Sequence, residues 1–191
     1  MALIIAVEGL PASGKTTIIH MMAEDLQQTY GLRIETVDIE TTSHSPELRT
    51  IARKYPLGHP IRILLFWILR LQQYDAIQEE LAKKVDVIFA DRFWGSTIAF
   101  DVYGNGAPYE LLKWIGRHIK RQPDFTLFFD APLDIVKKRK EVKTMDNPDF
   151  AKRVEYGYKE LAEKLSWVRV DATQKPEEVK DFCLKFVLSK L

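Results

Sequence analysis

The octapeptide Gly9-Leu10-Pro11-Ala12-Ser13-Gly14-Lys15-Thr16 constrains this chain more than any other feature. It fits the pattern G-x-x-x-x-G-K-[ST]. Ala2–Glu8 before it is apolar and rich in Ile and Val, which reads as a buried strand. Lys15–Tyr30 behind it carries Ile18, Ile19, Met22 and Leu26 at helical spacing and stops at Gly31. Strand, glycine-rich loop and helix in that order make a phosphate cradle. The glycines let the backbone close around phosphate oxygens, and successive N–H groups with the helix N-terminus supply partial positive charge. Lys15 adds a point charge for β- and γ-phosphates, and the Thr16 hydroxyl, with Thr17 beside it, is placed for Mg²⁺ and phosphate oxygens.

The same alternation continues. Strands are predicted at Arg33–Asp38, Val85–Ala90, Phe125–Phe129 and Trp167–Val170. Helices are predicted after Ser45-Pro46-Glu47, from Pro60 to about Lys84, over Pro108–Gln122 and Pro132–Val142, from Asn147-Pro148 to about Leu165, and over Pro176–Leu191. Strands alternating with helices imply right-handed crossovers and a parallel sheet covered on both faces. The expected fold is a three-layer α/β/α P-loop domain with a five-stranded parallel sheet. All 191 residues read as one domain. The polar stretch 140–148 is the expected lid.

Composition narrows the partners. With 28 basic and 27 acidic residues the net charge is +1, which argues against a uniformly basic binder of nucleic-acid polymers. The balance is uneven: residues 1–50 hold 3 basic and 7 acidic groups, and the densest basic cluster is Lys137, Lys138, Arg139, Lys140 and Lys143. The longest apolar run, Ile63–Leu69, is far short of the ~20 residues a spanning helix needs. No secretory signal is expected, and the lone Cys183 excludes an internal disulfide, so a cytoplasmic, membrane-free protein is expected. The four histidines, His20, His44, His59 and His118, show no metal-ligand spacing.

A second constellation sits at the end of the third predicted strand, Val87-Ile88-Phe89-Ala90-Asp91-Arg92. The apolar residues bury the strand and deliver Asp91 and Arg92 to the carboxyl edge of the sheet, where ligands of open α/β sheets sit. Asp91 is placed to hold Mg²⁺, and Arg92 to fork onto phosphoryl oxygens. No N-K-x-D base-reading motif of regulatory GTPases follows, and Asp101-Val102-Tyr103-Gly104 matches D-x-x-G only by chance.

Asp91-Arg92-Phe93-Trp94-Gly95-Ser96-Thr97-Ile98-Ala99-Phe100 resembles the D-R-Y-x-x-S-x-x-A-Y of the thymidylate kinase family. Further likenesses are Val7-Glu8-Gly9-Leu10, Leu65-Phe66-x-x-x-Arg70, Pro123–Asp130, Arg153-Val154-x-x-Gly157-Tyr158 and Val170-Asp171-Ala172, in order over nearly the whole chain. The resemblance implies a homodimeric nucleoside monophosphate kinase that uses ATP and Mg²⁺ to convert dTMP to dTDP. It implies that Phe66 stacks on the acceptor base and Arg70 reaches a base carbonyl, two residues that share a helix face at i, i+4. Arg92 would bind the acceptor phosphate, Ser96 would lie near base or phosphate, Phe100 beside the sugar, and Arg139 would reach donor phosphates or adenine.

Departures gather on the acceptor side. Pro11 stands where the family carries an acid for the sugar 3′-hydroxyl, Phe100 where it carries a tyrosine, and Asp101 where it carries a glutamine. Ile39 replaces an arginine in Asp38-Ile39-Glu40-Thr41, leaving Arg49 as a substitute. Two other readings stay open at this point. A deoxynucleoside kinase would need a carboxylate base, for which Glu40, Glu8 and Asp91 are candidates. A regulatory P-loop protein would bind the nucleotide without transferring phosphate.

Overall fold

Apolar residues fill both faces of the first strand, so that strand needs cover on each side. In the computed structural model, which describes residues 2–40, 45–140 and 142–191, it lies in the middle of the sheet. The strands are β1 (Leu3–Gly9), β2 (Ile34–Asp38), β3 (Val87–Asp91), β4 (Phe125–Asp130) and β5 (Val168–Asp171). All pairings are parallel, in the order β2-β3-β1-β4-β5. Ile5 and Val7 face one core with Ile18, Ile19, Met22 and Leu26, while Ile4 and Ala6 face another with Val37, Ile77, Ile88 and Ala90. The expected α/β sheet with helices on both faces is therefore present.

The helices are α1 (Lys15–Tyr30), α2 (Ser45–Ala52), α3 (Pro60–Ala82), α4 (Trp94–Thr97), α5 (Tyr109–Gly116), α6 (Leu133–Arg139), α7 (Pro148–Lys164) and α8 (Pro176–Leu188). Local chemistry sets several ends. Gly31 adopts φ +65° behind α1, and its N–H bonds the Gln27 carbonyl. Pro148 opens α7, where the Asn147 side chain accepts from the N–H groups of Asp149 and Phe150 at 3.0 Å.

One expectation is corrected. The helix foreseen over Pro108–Gln122 ends at Gly116, and the Tyr74 hydroxyl takes the N–H groups of Lys120 and Arg121 that a longer helix would have used. After β3, α4 runs directly into a π-helix over Ile98–Gly104, marked by the 3.0 Å bond from Asn105 N–H to the Phe100 carbonyl. The stretch 140–148 contains a short 3₁₀ turn, Lys143–Met145, with Met145 buried. Glu141, Thr41 and His44 lie outside the described residues. No helix of the described residues is long and apolar enough to cross a membrane.

Register brings the carboxyl ends of the central strands level. Val7 lies opposite Asp91, Asp38 opposite Asp91, and Gly9 opposite Phe129. After β1 the chain first builds the β2–β3 side and then the β4–β5 side, so the crevice opens at the end of β1.

Candidate active site

The phosphate loop leaves β1 at Gly9. With φ +144° and an imagined Cβ only 2.6 Å from the Phe129 carbonyl oxygen, this position takes glycine alone. Leu10 and Ser13 are buried, Pro11, Ala12 and Gly14 are half-buried, and Thr16 and Thr17 are exposed at the start of α1. Lys15 is tucked beneath the loop, its Nζ donating to the Leu10 carbonyl at 2.7 Å and to Ser13 Oγ at 3.1 Å. Burial, reinforced by the Arg92 charge, pulls the Lys15 ammonium well below its ordinary pKa, against the pull of Asp91 and Glu8. An anionic phosphate chain in the loop would restore the charge that burial disfavours.

Thr16 Oγ1 donates to Asp91 Oδ2 at 2.5 Å, so the two foreseen metal ligands meet between β1 and β3. A hydroxyl and a carboxylate are hard oxygen donors, a set that fits Mg²⁺ when phosphates and water fill the remaining positions.

Arg92 follows Asp91 with φ +64°, a left-handed conformation that costs a non-glycine residue about 1–2 kcal/mol. Its N–H bonds the Val7 carbonyl at 2.9 Å, and its carbonyl accepts from Arg70 Nη1 at 2.9 Å and Gln73 Nε2 at 2.8 Å. This turn aims the guanidinium at the phosphate loop. Nη1 donates to the Gly9 carbonyl at 2.9 Å, to Tyr158 Oη at 3.0 Å and to Ser96 Oγ at 3.3 Å. The Arg92 Cζ lies 5.9 Å from the centre of the Phe100 ring. Phe100 in turn packs edge-on against Tyr158 and Phe150.

Glu8 anchors this arrangement from below. Its carboxylate is 1% exposed and accepts from Phe93 N–H at 2.9 Å, Ser96 N–H at 3.0 Å and Ser96 Oγ at 2.5 Å. Burial raises its pKa, while Arg70 and the hydrogen bonds oppose the rise. Gly95 permits the approach, since a Cβ there would lie 2.4 Å from Trp167 and 2.8 Å from Glu8 Oε1.

The foreseen base-reading residues behave differently from each other. Arg70 is 4% exposed and donates through Nε to Thr97 Oγ1 at 3.2 Å, and through Nη1 to Gln73 and to the Arg92 carbonyl. Burial lowers its pKa to about 10. Phe66 is half-buried, and Arg62 lies over its ring at 5.8 Å. The structure thus ties Arg70 to Arg92, but it joins Phe66 to neither. Arg139 reaches across the loop, donating to the Ala172 carbonyl at 2.7 Å and to the Ser13 carbonyl at 3.4 Å. Arg49 is ion-paired with the exposed Glu40 at 2.5 Å. Gln73, Thr97 and Tyr158 join the site without being singled out by sequence. Their only signals are proximity: Gln73 one turn past Arg70, Thr97 beside Ser96, and Tyr158 ending the Arg153–Tyr158 motif.

Asp101, at the position where the resemblance expects a glutamine, has a structural place that the sequence alone does not show. It is buried on the π-helix, accepting from Trp67 Nε1 at 2.8 Å and Asn105 Nδ2 at 3.2 Å. The bond to Trp67 ties the π-helix, which carries Phe100, to α3, which carries Phe66 and Arg70. Burial raises the Asp101 pKa to about 6, although Trp67, Asn105, Arg70 and Arg62 favour the anion. The folded protein therefore holds this proton more tightly than the unfolded chain. Its contribution to stability is greatest below the ordinary 3.8 and declines as pH rises through about 6. Asp101→Asn removes the titration but keeps an acceptor for Trp67. Denaturant unfolding between pH 4 and 8 should show the variant gaining about 2–3 kcal/mol on the wild type as pH rises, with a plateau above about 7. A difference that stays flat across that range would contradict the raised pKa.

The comparisons with known proteins agree with this geometry. A family model described as thymidylate kinase matches residues 7–183. A thymidylate kinase of Carboxydothermus hydrogenoformans is 33% identical, over 92% of this chain and 91% of that protein. One of Kosmotoga olearia is 29% identical, over 95% and 93%. The crystal structure of thymidylate kinase from Ehrlichia chaffeensis shares the fold at a TM-score of 0.77 and 24% identity, covering 98% of each chain. The phosphate loop, the turn that carries Arg92 and the nearly full-length family match converge: this chain belongs to the thymidylate kinase family of nucleoside monophosphate kinases.

Proposed function

We propose that this chain transfers the γ-phosphoryl group of ATP to dTMP, forming dTDP and ADP. The observation that carries the reading is the 2.9 Å bond from Arg92 to the Gly9 carbonyl. It sets a phosphate-binding guanidinium against the loop that cradles the donor, so two phosphate chains can meet end to end. The acceptor phosphate is largely ionised at neutral pH and attacks without a strong base. Catalysis is positioning and charge neutralisation. Lys15 holds the donor phosphates, Arg92 the acceptor phosphate, and Arg70 the base edge. Thr16 and Asp91 would hold Mg²⁺, which neutralises the donor's oxygens when bound. Arg139 and the neighbouring lysines serve the donor, and segment 140–148 closes over it as the lid of a single domain. The protein acts in the cytoplasm, as its reduced, buried Cys183 suits.

A hydroxyl acceptor would need a free carboxylate base. Glu8 is saturated by three donors, Glu40 is paired with Arg49, and Asp91 accepts from Thr16 and is assigned to Mg²⁺, which favours the phosphate acceptor. An ADP-release assay across dTMP, dUMP, dCMP, dGMP, UMP and thymidine should show the highest kcat/KM for dTMP and no turnover of thymidine. Turnover of thymidine without dTMP, or of dGMP alone, would overturn the reading. Arg92→Ala should lower kcat/KM for dTMP by about 10²–10³-fold, as expected when a preorganised charge on the transferring group is removed. Near-normal transfer by that variant would remove Arg92 from the site.

The same reading includes a homodimer. Ile61, Leu64 and Ile68 lie on one face of α3, 42–46% exposed, and Trp114 of α5 is 57% exposed beside an apolar groove of about 350 Å³. A contiguous apolar face of this kind can pair with its own copy about a two-fold axis. Sedimentation velocity should find a dimer for the wild type and a monomer for Ile68→Glu. A monomeric wild type at tens of micromolar would exclude it.

A further inference from the structure

Arg92 adopts a backbone conformation that its own chemistry disfavours, so something outside it must hold it there. Its N–H partner, the Val7 carbonyl, belongs to the sheet, but among the described residues the carbonyl of Arg92 is held by side chains of α3. One of them, Arg70, belongs to the acceptor site. The other, Gln73, is fully buried at 0% exposure and lies one helical turn further along α3.

Gln73 uses both ends of its amide. Nε2 donates to the Arg92 carbonyl at 2.8 Å and to the Val37 carbonyl at 2.9 Å, joining the turn after β3 to the neighbouring strand β2. Oε1 accepts from Arg70 Nη1. Arg70 Nη1 is thereby held between Gln73 and the Arg92 carbonyl, and Nε is held by Thr97. Nη2 of Arg70 has no hydrogen-bond partner among the described residues.

We propose that Gln73 is a positioning residue for the acceptor nucleotide: it fixes the left-handed turn of Arg92 and the plane of the Arg70 guanidinium together, and touches no substrate. The position needs two donors for carbonyls and one acceptor for a guanidinium, and it must be neutral. Glutamine meets all of these. Glutamate would lose the donors and set a carboxylate against two carbonyl oxygens. Methionine would keep the volume and lose every bond. Without Gln73 the Arg92 carbonyl loses one of its two clamps, and the peptide after it can rotate toward an ordinary φ. That rotation swings the guanidinium away from the Gly9 carbonyl.

The inference rests on the proposed kinase reading, and the experiment separates them. Full steady-state kinetics are measured for the wild type and for Gln73→Met, varying dTMP and ATP in turn. The expected result is a KM for dTMP at least tenfold higher, with the KM for ATP within twofold of the wild type. The Gln73→Met change should matter little in an Arg70→Ala background, because the two residues act through one arrangement. A crystal structure of the variant should show Arg92 with negative φ. If Gln73→Met does not yield folded protein, Gln73→Glu takes its place under the same criteria, since it keeps the acceptor for Arg70. Unchanged KM for dTMP, or equal rises in both KM values, would overturn the positioning role. A wild type inactive on every nucleoside monophosphate would overturn the kinase reading and this inference with it.

Discussion

The site hangs on one buried carboxylate. Glu8 lies one residue before the end of the central strand, and it receives the N–H groups of Phe93 and Ser96 at the start of α4 together with the Ser96 hydroxyl. A carboxylate at a helix N-terminus is favourable because it meets unsatisfied N–H groups and the positive end of the helix dipole. Here it also welds two segments separated by more than eighty positions in sequence. The strand that bears the donor loop and the turn that bears Arg92 cannot move apart without leaving three donors or a buried charge unpaired. Such a loss costs about 3–5 kcal/mol in a buried site, a large share of a domain's net stability.

Around that weld the polar groups form a closed circuit. Arg92 reaches the loop and Tyr158, Arg70 reaches Arg92 and Thr97, and Gln73 ties Arg70 back to the backbone of β2 and of the turn after β3. Glu8 and Arg70 are buried and Arg92 is half-buried, yet each has several partners, which is the condition under which buried charge is tolerated. The Phe128 and Tyr158 rings stack 6.0 Å apart beneath the circuit and tie α7 to the sheet. The same chemistry that orders the site therefore packs α7 and the π-helix against the sheet.

Much of this was legible in the residues alone. The five strands, the order of strands and helices and the phosphate loop follow from short-range signals: apolar runs, prolines at helix starts, Gly31 at a helix end. Thr16 and Asp91 meet because a P-loop strand and its neighbour end at the same level. The π-helix was not legible. Ile98–Gly104 has no clean period, and Asp101 within it is held by Trp67, a partner recognised only once α3 lies beside it. Gln73 escaped for a similar reason. An amide in a charged helix reads as solvated surface until the strand carbonyls it serves are in place. The early end of α5 is also tertiary, because the hydroxyl that replaces its hydrogen bonds comes from Tyr74 on another helix.

In the proposed reading, with the acceptor phosphate on Arg92 and the donor in the loop, the bond from Arg92 to the Gly9 carbonyl has a thermodynamic consequence for the two substrates. A guanidinium drawn onto an acceptor phosphate changes the environment of a carbonyl in the donor's own loop. A nucleotide seated in that loop likewise alters what holds the guanidinium. Any factor by which one ligand changes the affinity for the other must then act equally in the reverse direction. That reading couples the two nucleotides at the Gly9 carbonyl oxygen, and the order in which they arrive changes the path but not the total free energy of the ternary complex.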